Sequence, residues 1–284
     1  MSLLEQQLAA GKFAVTAEVA PPKGIELAPV LAVAARLQGV TAVNVTDNQG
    51  ANMRLCALVL AGELCRRGIE PVLQMTCRDR NRVALQSDLL GAAALGIENL
   101  LIITGDHSKF GDHPDARPVF DLDSVQLLDV VAGLMRGADM AGVPLAGTPR
   151  FFAGAAVNPA AEPFDLVAQK MRKKAESGAC FFQTQAVFTR AEMERLCAVT
   201  APLGIPVLAG VLLVRSARMA RFLNANIPGI RMPEVLIQRL EQAADPLAEG
   251  VAIARETVGW ARELCQGVHL MTLGHEERIA EILA

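Results

Sequence analysis

Eight short apolar segments recur along the chain, each carrying β-branched, aromatic or long aliphatic residues. They are FAVTAEV (13–19), TAVNVT (41–46), EPVLQMT (70–76), NLLIIT (99–104), RFFAGAAV (150–157), CFFQTQ (180–185), PVLAGVLL (206–213) and VHLMTL (268–273). Their apolarity is largely continuous rather than alternating, which predicts strands covered on both faces, as in a parallel sheet. Between them, apolar residues return at three- and four-residue spacing in LAPVLAVAARL, MRLCALVLAGELCRRG, RVALQSDLLGAAALG, DSVQLLDVVAGLMRGADMAG, FDLVAQKMRKKAESG and the long stretch from Pro246 to Gln266. That spacing predicts helices with one apolar face. Thr189 and Glu192 stand at capping-box spacing, and Gly68, Gly96 and Gly178 fall just past the last apolar turn of three of these segments. Eight strand–helix alternations at this length predict an α/β fold, a single closed (β/α)8 TIM barrel over residues 1–284. No G-x-G-x-x-G follows the first strand, so a dinucleotide-binding Rossmann half is not expected.

Two connections are longer than a barrel needs: Thr104 to Phe120 after the fourth strand, and Leu213 to Val235 after the seventh. Long loops in a compact barrel build or cover its site.

Composition narrows the function classes. With 52% hydrophobic residues, 20% charged residues and a formal charge of -3, the 284-residue chain reads as a soluble globular protein. It has no basic field for nucleic acid. The apolar run Ile205 to Val214 is too short to span a bilayer and runs straight into Arg215, and the amino terminus lacks a basic-then-apolar layout. No membrane association is expected, and the expected location is cytoplasmic. The cysteines, Cys56, Cys65, Cys77, Cys180, Cys197 and Cys265, form no C-x-x-C pair and read as buried reduced thiols rather than a structural metal site.

In such a barrel the C-terminal strand ends converge on the catalytic face. The predicted ends supply Glu18, Thr46, Asp47, Gln74, Thr76, Thr104, Asp106, Asn158, Gln183, Gln185, Arg215 and His275. Glu18 interrupts an apolar strand. A carboxylate there is expected to sit in a dry pocket with its pKa raised, which makes it a general acid; the alternative is a rim residue paired with Lys23. Asp106 follows Gly105, where the backbone can approach a ligand closely, and its carboxylate can take the amide and amino groups of a heterocycle or simply cap the loop. Strand alternation sends Gln183 and Gln185 to one face, where an amide both donates and accepts. Asp106-His107 and Asp112-His113 match no metal-ligand spacing. The cluster Lys170, Arg172, Lys173, Lys174 reads as a solvated face with one member in reach of a phosphate.

Taken together, TAEVAPPKG, VTDNQGANMR, LQMTCRDRNR, LLIITGDH, KKAESGACFFQTQAVF and GVHLMTLGHEE resemble the methylenetetrahydrofolate reductases, in order and over nearly the whole chain. The resemblance implies a flavin-dependent barrel that interconverts 5,10-methylenetetrahydrofolate and 5-methyltetrahydrofolate. It implies that Glu18 protonates the folate at N10, that Asp106 lies near the flavin and helps hold the pterin, and that Gln185, with Gln183 beside it, contacts the folate near His275. Thr46, Asp47, Gln74, Thr104, Gly105, Asp106, Asn158 and Lys174 are the implied cofactor contacts. The cofactor is FAD, with FMN as the other flavin. The electron donor is NADH, NADPH or a partner protein, and a homo-oligomer is expected. Thr104 stands where the family has Arg, Asp47 where it has Tyr, and Gln74 and Asn158 where it has His, so the flavin contacts are re-chosen. No regulatory domain is expected after the barrel. The competing readings are a pterin-binding methyltransferase with a corrinoid or thiol acceptor, and a flavin-free subunit of a larger redox complex.

Overall fold

The computed structural model describes residues 1–37, 39–227 and 229–284. Eight parallel strands close into one barrel in chain order: β1 (Ala14–Val19), β2 (Ala42–Val45), β3 (Pro71–Thr76), β4 (Asn99–Ile103), β5 (Phe152–Val157), β6 (Phe181–Ala186), β7 (Val207–Leu212) and β8 (Gly267–Met271). The last strand pairs with the first through Thr16 beside His269, which seals the barrel without an edge. The predicted (β/α)8 architecture is therefore the observed one, with strand ends shifted by only a residue or two.

The surrounding helices are α1 (Leu3–Ala9), α2 (Ala28–Ala34), α3 (Ala57–Arg66), α4 (Arg82–Ala94), α5 (Ser124–Met135), α6 (Phe164–Glu176), α7 (Arg190–Thr200), α8 (Ala217–Asn226), α9 (Glu234–Gln242), α10 (Pro246–Leu264) and α11 (Ile279–Leu283). Their starts are chemically marked. Asn81 and Asp245 each accept from two backbone N–H groups at the heads of α4 and α10. The Thr189 hydroxyl accepts from Glu192 N as predicted, but the Glu192 carboxylate reaches back to Phe188 N rather than to the cap residue itself. The reciprocal box lies instead at Asp123 and Gln126, heading α5.

Between sheet and helices lies one continuous apolar core, and inside the barrel lies a second. The inner core fills only the N-terminal end. Ala14, Ala42, Val72, Leu101, Phe152, Phe181 and Leu208 point inward there, and Leu4 and Leu8 of α1 close the opening from below. Phe152 and Phe181 stack with ring centroids 5.2 Å apart. Gly154 is required beside them, because a Cβ at that position would run into the Phe181 ring. With its floor filled by hydrocarbon, the barrel interior opens to a cavity at its C-terminal mouth.

Two expectations change. The connection from Leu213 to Val235 is not a plain loop: it contains α8 and runs into α9, and both pack on a satellite core with Phe188, Val214, Ile230 and Met271. The cysteines are not uniformly buried. Cys56 and Cys180 are exposed, Cys65 and Cys197 half-buried, and Cys77 and Cys265 buried; all are free thiols. Cys77 shows the effect of its setting, since burial pushes its thiol up to about 12. Among the described residues, no helix is long and apolar enough to cross a membrane.

Candidate active site

Alternation along the strands decides what the mouth contains. On five strands the residue two positions above the N-terminal layer is polar and buried: Thr16 on β1, Asn44 on β2, Gln74 on β3, Gln183 on β6 and His269 on β8. One turn of the pleat higher stand Glu18 and Gln185. Glu18, Gln49, Gln74, Thr104, Gly105, Asp106, Asn158, Lys174, Gln183, Gln185 and His269 line one cavity of about 430 Å³ at the C-terminal end. A barrel places chemistry at that end because each strand there hands its chain to an independent loop.

Glu18 is 11% exposed and is held from two sides. Gln49 Nε2 donates to its Oε1 at 3.2 Å, and His269 Nε2 lies 3.5 Å from its Oε2. Lys23 is not its partner; that ammonium pairs with Asp112 in the loop after β4 and holds the Asp112 carboxyl below the usual carboxylate range. Behind His269, the ring Nδ1 is 3.0 Å from Thr16 Oγ1.

The opposite wall comes from β4, β5 and α6. Gly105 has φ +90, and a Cβ there would press against Thr76 at 3.1 Å, so glycine allows the turn that brings Asp106 to the cavity. The Asp106 carbonyl accepts from Arg78 Nη1 at 3.1 Å, which pins this loop to the end of β3. Lys174 reaches in from α6 and donates to Ala156 O at 2.6 Å. Burial first, and then the nearby charge of Lys170, lowers its pKa to about 8. Lys174 also borders a second cavity of about 320 Å³, which shares Ala156, Val157 and Asn158 with the first.

On the floor of the cavity, Asn44 Nδ2 donates to Gln183 Oε1 at 2.7 Å. That bond fixes the orientation of the Gln183 amide, so its NH2 faces the cavity as a donor. Gln185 Oε1 accepts from Ala186 N, and a bulge between Gln183 and Ala186 adds one residue to β6 opposite β7. Through it the Thr184 hydroxyl stands in for a ladder acceptor, taking Gly210 N at 2.8 Å.

Of the residues singled out in the sequence, Glu18, Gln74, Thr104, Gly105, Asp106, Asn158, Lys174, Gln183 and Gln185 meet in this one cavity. Three do not. Asp47 is buried as an acceptor for Thr76 N and Oγ1, each at 2.9 Å, and pairs with Arg80, so its carboxylate is spent on joining two strand ends. Thr46 is buried outside the cavity lining, with no hydrogen-bond partner for its hydroxyl among the described residues. His275 sits on the rim, its Nε2 3.5 Å from Arg215 Nη1 and its Nδ1 3.3 Å from Glu277. Sequence reasoning missed His269, Thr16 and Gln49. The first two were legible: in VHLMTL and FAVTAEV they share strand parity with inward positions. Gln49 was not, because it arrives through a turn whose Asn48 and Ala51 adopt positive φ.

The sequence profile of the family described as methylenetetrahydrofolate reductase matches residues 3–284. A curated relative from Caenorhabditis elegans, "Probable methylenetetrahydrofolate reductase (NADPH)", is 22% identical over 227 residues, which is 76% of this chain and 32% of the relative. The chain thus spans about a third of that relative's length. Among solved structures, oxaloacetate acetylhydrolase superposes with a TM-score of 0.55 at 11% identity, over 98% of this chain and 83% of that one. A 2,3-dimethylmalate lyase gives 0.52 at 11% identity, over 99% and 84%. These two share the barrel and nothing finer.

Proposed function

The chain belongs to the methylenetetrahydrofolate reductase family, and from that premise we propose that it interconverts 5,10-methylenetetrahydrofolate and 5-methyltetrahydrofolate with a flavin as cofactor. The observation that carries the proposal is the single cavity in which a sheltered acid, Glu18, shares walls with the carboxylate of Asp106 and the amides of Gln183 and Gln185. A pterin edge presents both donors and acceptors, and this wall offers both.

The residues present fit a flavin. Two contiguous cavities meet at Lys174, and an anionic group such as a phosphate placed against it would offset the burial that lowers its pKa and hold it as the ammonium. Gly105 allows the turn that sets Thr104 and Asp106 on the cavity wall. Lys174, Asn158, Thr104, Gly105 and Gln74 are the residues that would hold the cofactor. A bound flavin supplies the hydride. Glu18 then holds a proton at Oε1 or Oε2 and delivers it to the folate nitrogen whose bond to the one-carbon unit opens, while Gln49 keeps the carboxyl aimed into the cavity. Gln183, locked by Asn44, donates to the pterin, and Asp106 accepts from its amino and ring N–H groups. The hydrocarbon floor excludes water from below. NADPH, named with the nematode relative, is the first electron donor to try.

Anaerobic mixing of the FAD-loaded protein with 5-methyltetrahydrofolate should bleach the oxidised flavin. Glu18→Gln should bind flavin and folate normally and lose folate turnover by roughly 10²–10⁴-fold, the usual contribution of a proton-transfer group. A protein that takes up neither FAD nor FMN, or an unimpaired Glu18→Gln variant, would end this reading.

A further inference from the structure

His269 is 1% exposed, lies deep in the mouth, and has no part in the scheme so far. Its two ring nitrogens face two different groups. Nε2 is 3.5 Å from Glu18 Oε2, and Nδ1 is 3.0 Å from Thr16 Oγ1. The Thr16 hydroxyl also lies 3.4 Å from the backbone carbonyl of Val268. A hydroxyl has one proton to give and lone pairs with which to accept. It satisfies both neighbours only by donating to the carbonyl, which has no proton of its own, and accepting from the ring. Thr16 therefore selects the Nδ1–H form of His269 and leaves Nε2 bare, aimed at the carboxyl of Glu18.

We propose that Thr16, His269 and Glu18 form a proton-holding relay in which His269, itself a positioning residue, keeps Glu18 loaded with the proton it delivers. The proposal rests on the reading of Glu18 as the acid. In the loaded state one proton is shared between Glu18 Oε2 and His269 Nε2, as acid with neutral ring or as carboxylate with imidazolium. When that proton passes to the substrate nitrogen, a carboxylate is left facing a bare ring nitrogen. The two lone pairs repel, and a proton taken up from cavity water restores the pair; one proton leaves and one enters per turnover. No other ionisable group stands between them among the described residues. The neighbours on the flanking strands are Gly210 on β7 and Asn44 on β2, Gln49 holds the other carboxyl oxygen, and the remaining charged groups of the cavity are Asp106 and Lys174 on the far wall.

The tautomer can be read without any turnover. The chain has four histidines, so ¹⁵N-histidine labelling gives a resolvable set of ring signals. The expected result is one sheltered ring with its proton on Nδ1 and its Nε2 facing the Glu18 carboxyl. In Glu18→Gln the Nε2 signal of that ring should move, because the group that shared its proton is gone. Thr16→Val should move the proton to Nε2, while the signals of His107, His113 and His275 stay put. A ring that carries Nε2–H throughout and ignores Glu18→Gln overturns the relay. His269→Gln supplies the second test: its amide can still hold the carboxyl in place but cannot share a proton. Folate turnover should fall by roughly 10–100-fold with KM for folate changed less than about threefold, and its alkaline fall-off should begin at lower pH. A His269→Gln profile that overlays the parent's also overturns the relay. A coupled ring in a protein whose Glu18→Gln variant still turns over folate overturns the acid role of Glu18 instead, so the two failures are distinguishable.

Discussion

At the scale of the residue, Lys174 gives the sharpest test of how this site balances stability against binding. Its ordinary value is 10.5, and burial lowers it to about 8 in the folded chain. Between pH 8 and 10.5 the unfolded chain therefore holds a proton that the folded chain has released, so stability rises with pH across that window, and the cost of the buried ammonium is fully present below pH 8. That cost is on the order of 2–3 kcal/mol, against about 1 kcal/mol returned by the bond to Ala156 O. Lys174→Met should thus raise the melting temperature at pH 7, a net gain of about 1 kcal/mol, with the gap closing as the pH approaches 10. The same variant should bind flavin more weakly. Thermal melts at pH 7 and 10 check the first expectation, and a variant less stable than the parent at pH 7 would refute it. Much of this site was legible in the sequence because a polar side chain at the end of an apolar strand conflicts with its surroundings, as Glu18 and Gln183 do. His269 passed unremarked because a histidine inside VHLMTL carries no charge contrast to mark it; the strand pairing sets it beside Thr16, and only the folded barrel brings its ring to Glu18. Asp47 shows the converse failure. Its position at a strand end suggests a ligand contact, and only three-dimensional proximity reveals Arg80 as its partner.

At the scale of the element, the strands were readable and the auxiliary helices were not, for one reason. The strands carry continuous apolar runs because both faces are buried, whereas α1 is 7 residues long and buries only Leu4 and Leu8. Likewise α8 buries only Ala217 and Ala220, side chains too small to leave an apolar rhythm. Yet α1 closes the barrel floor. The Glu70 carboxylate accepts from Leu3 N at 2.6 Å and Leu4 N at 2.8 Å, and Asn99 Nδ2 also donates to it, which fixes the plug in place. Leu4 is fully buried against the inner core. Leu4→Ala should therefore cost about 2–4 kcal/mol, as expected for emptying a packed site, with little change in KM for folate because the cavity lies at the other end of the barrel. Chemical denaturation and steady-state kinetics on the same preparation separate the two effects. A loss of less than about 1 kcal/mol would mean that α1 frays rather than seals.

At the scale of the whole molecule, the barrel divides its labour along its axis, and the loops at the working end must be made to act together without a hydrocarbon core of their own. Arg78 does this. It is 2% exposed and sits just past β3, from which its guanidinium donates to Asp106 O at 3.1 Å, to Asn48 O at 3.2 Å and to the Asp79 carboxylate at 2.7 Å. Three successive strand-end loops are thereby tied through one cation, and two of them carry cavity residues, Gln49 and Asp106. The planar fork matters, since an ammonium offers no such rigid set of donors. Arg78→Met removes the cation and leaves two backbone carbonyls and a carboxylate without their donor, so a loss of roughly 3–5 kcal/mol is expected. Arg78→Lys keeps the charge but cannot span all three loops. It should cost less stability while still loosening Gln49 and Asp106, and with them the aim of Glu18. The distinguishing measurement is amide hydrogen exchange. In Arg78→Lys the segments 48–53 and 104–112 should exchange faster while the strands keep their protection, and KM for folate should rise with the melting temperature little changed. If those two segments exchange at the parent rate, the loops are held by Lys23 and Asp112 instead, and the order at the mouth comes from its rim rather than from a buried hub.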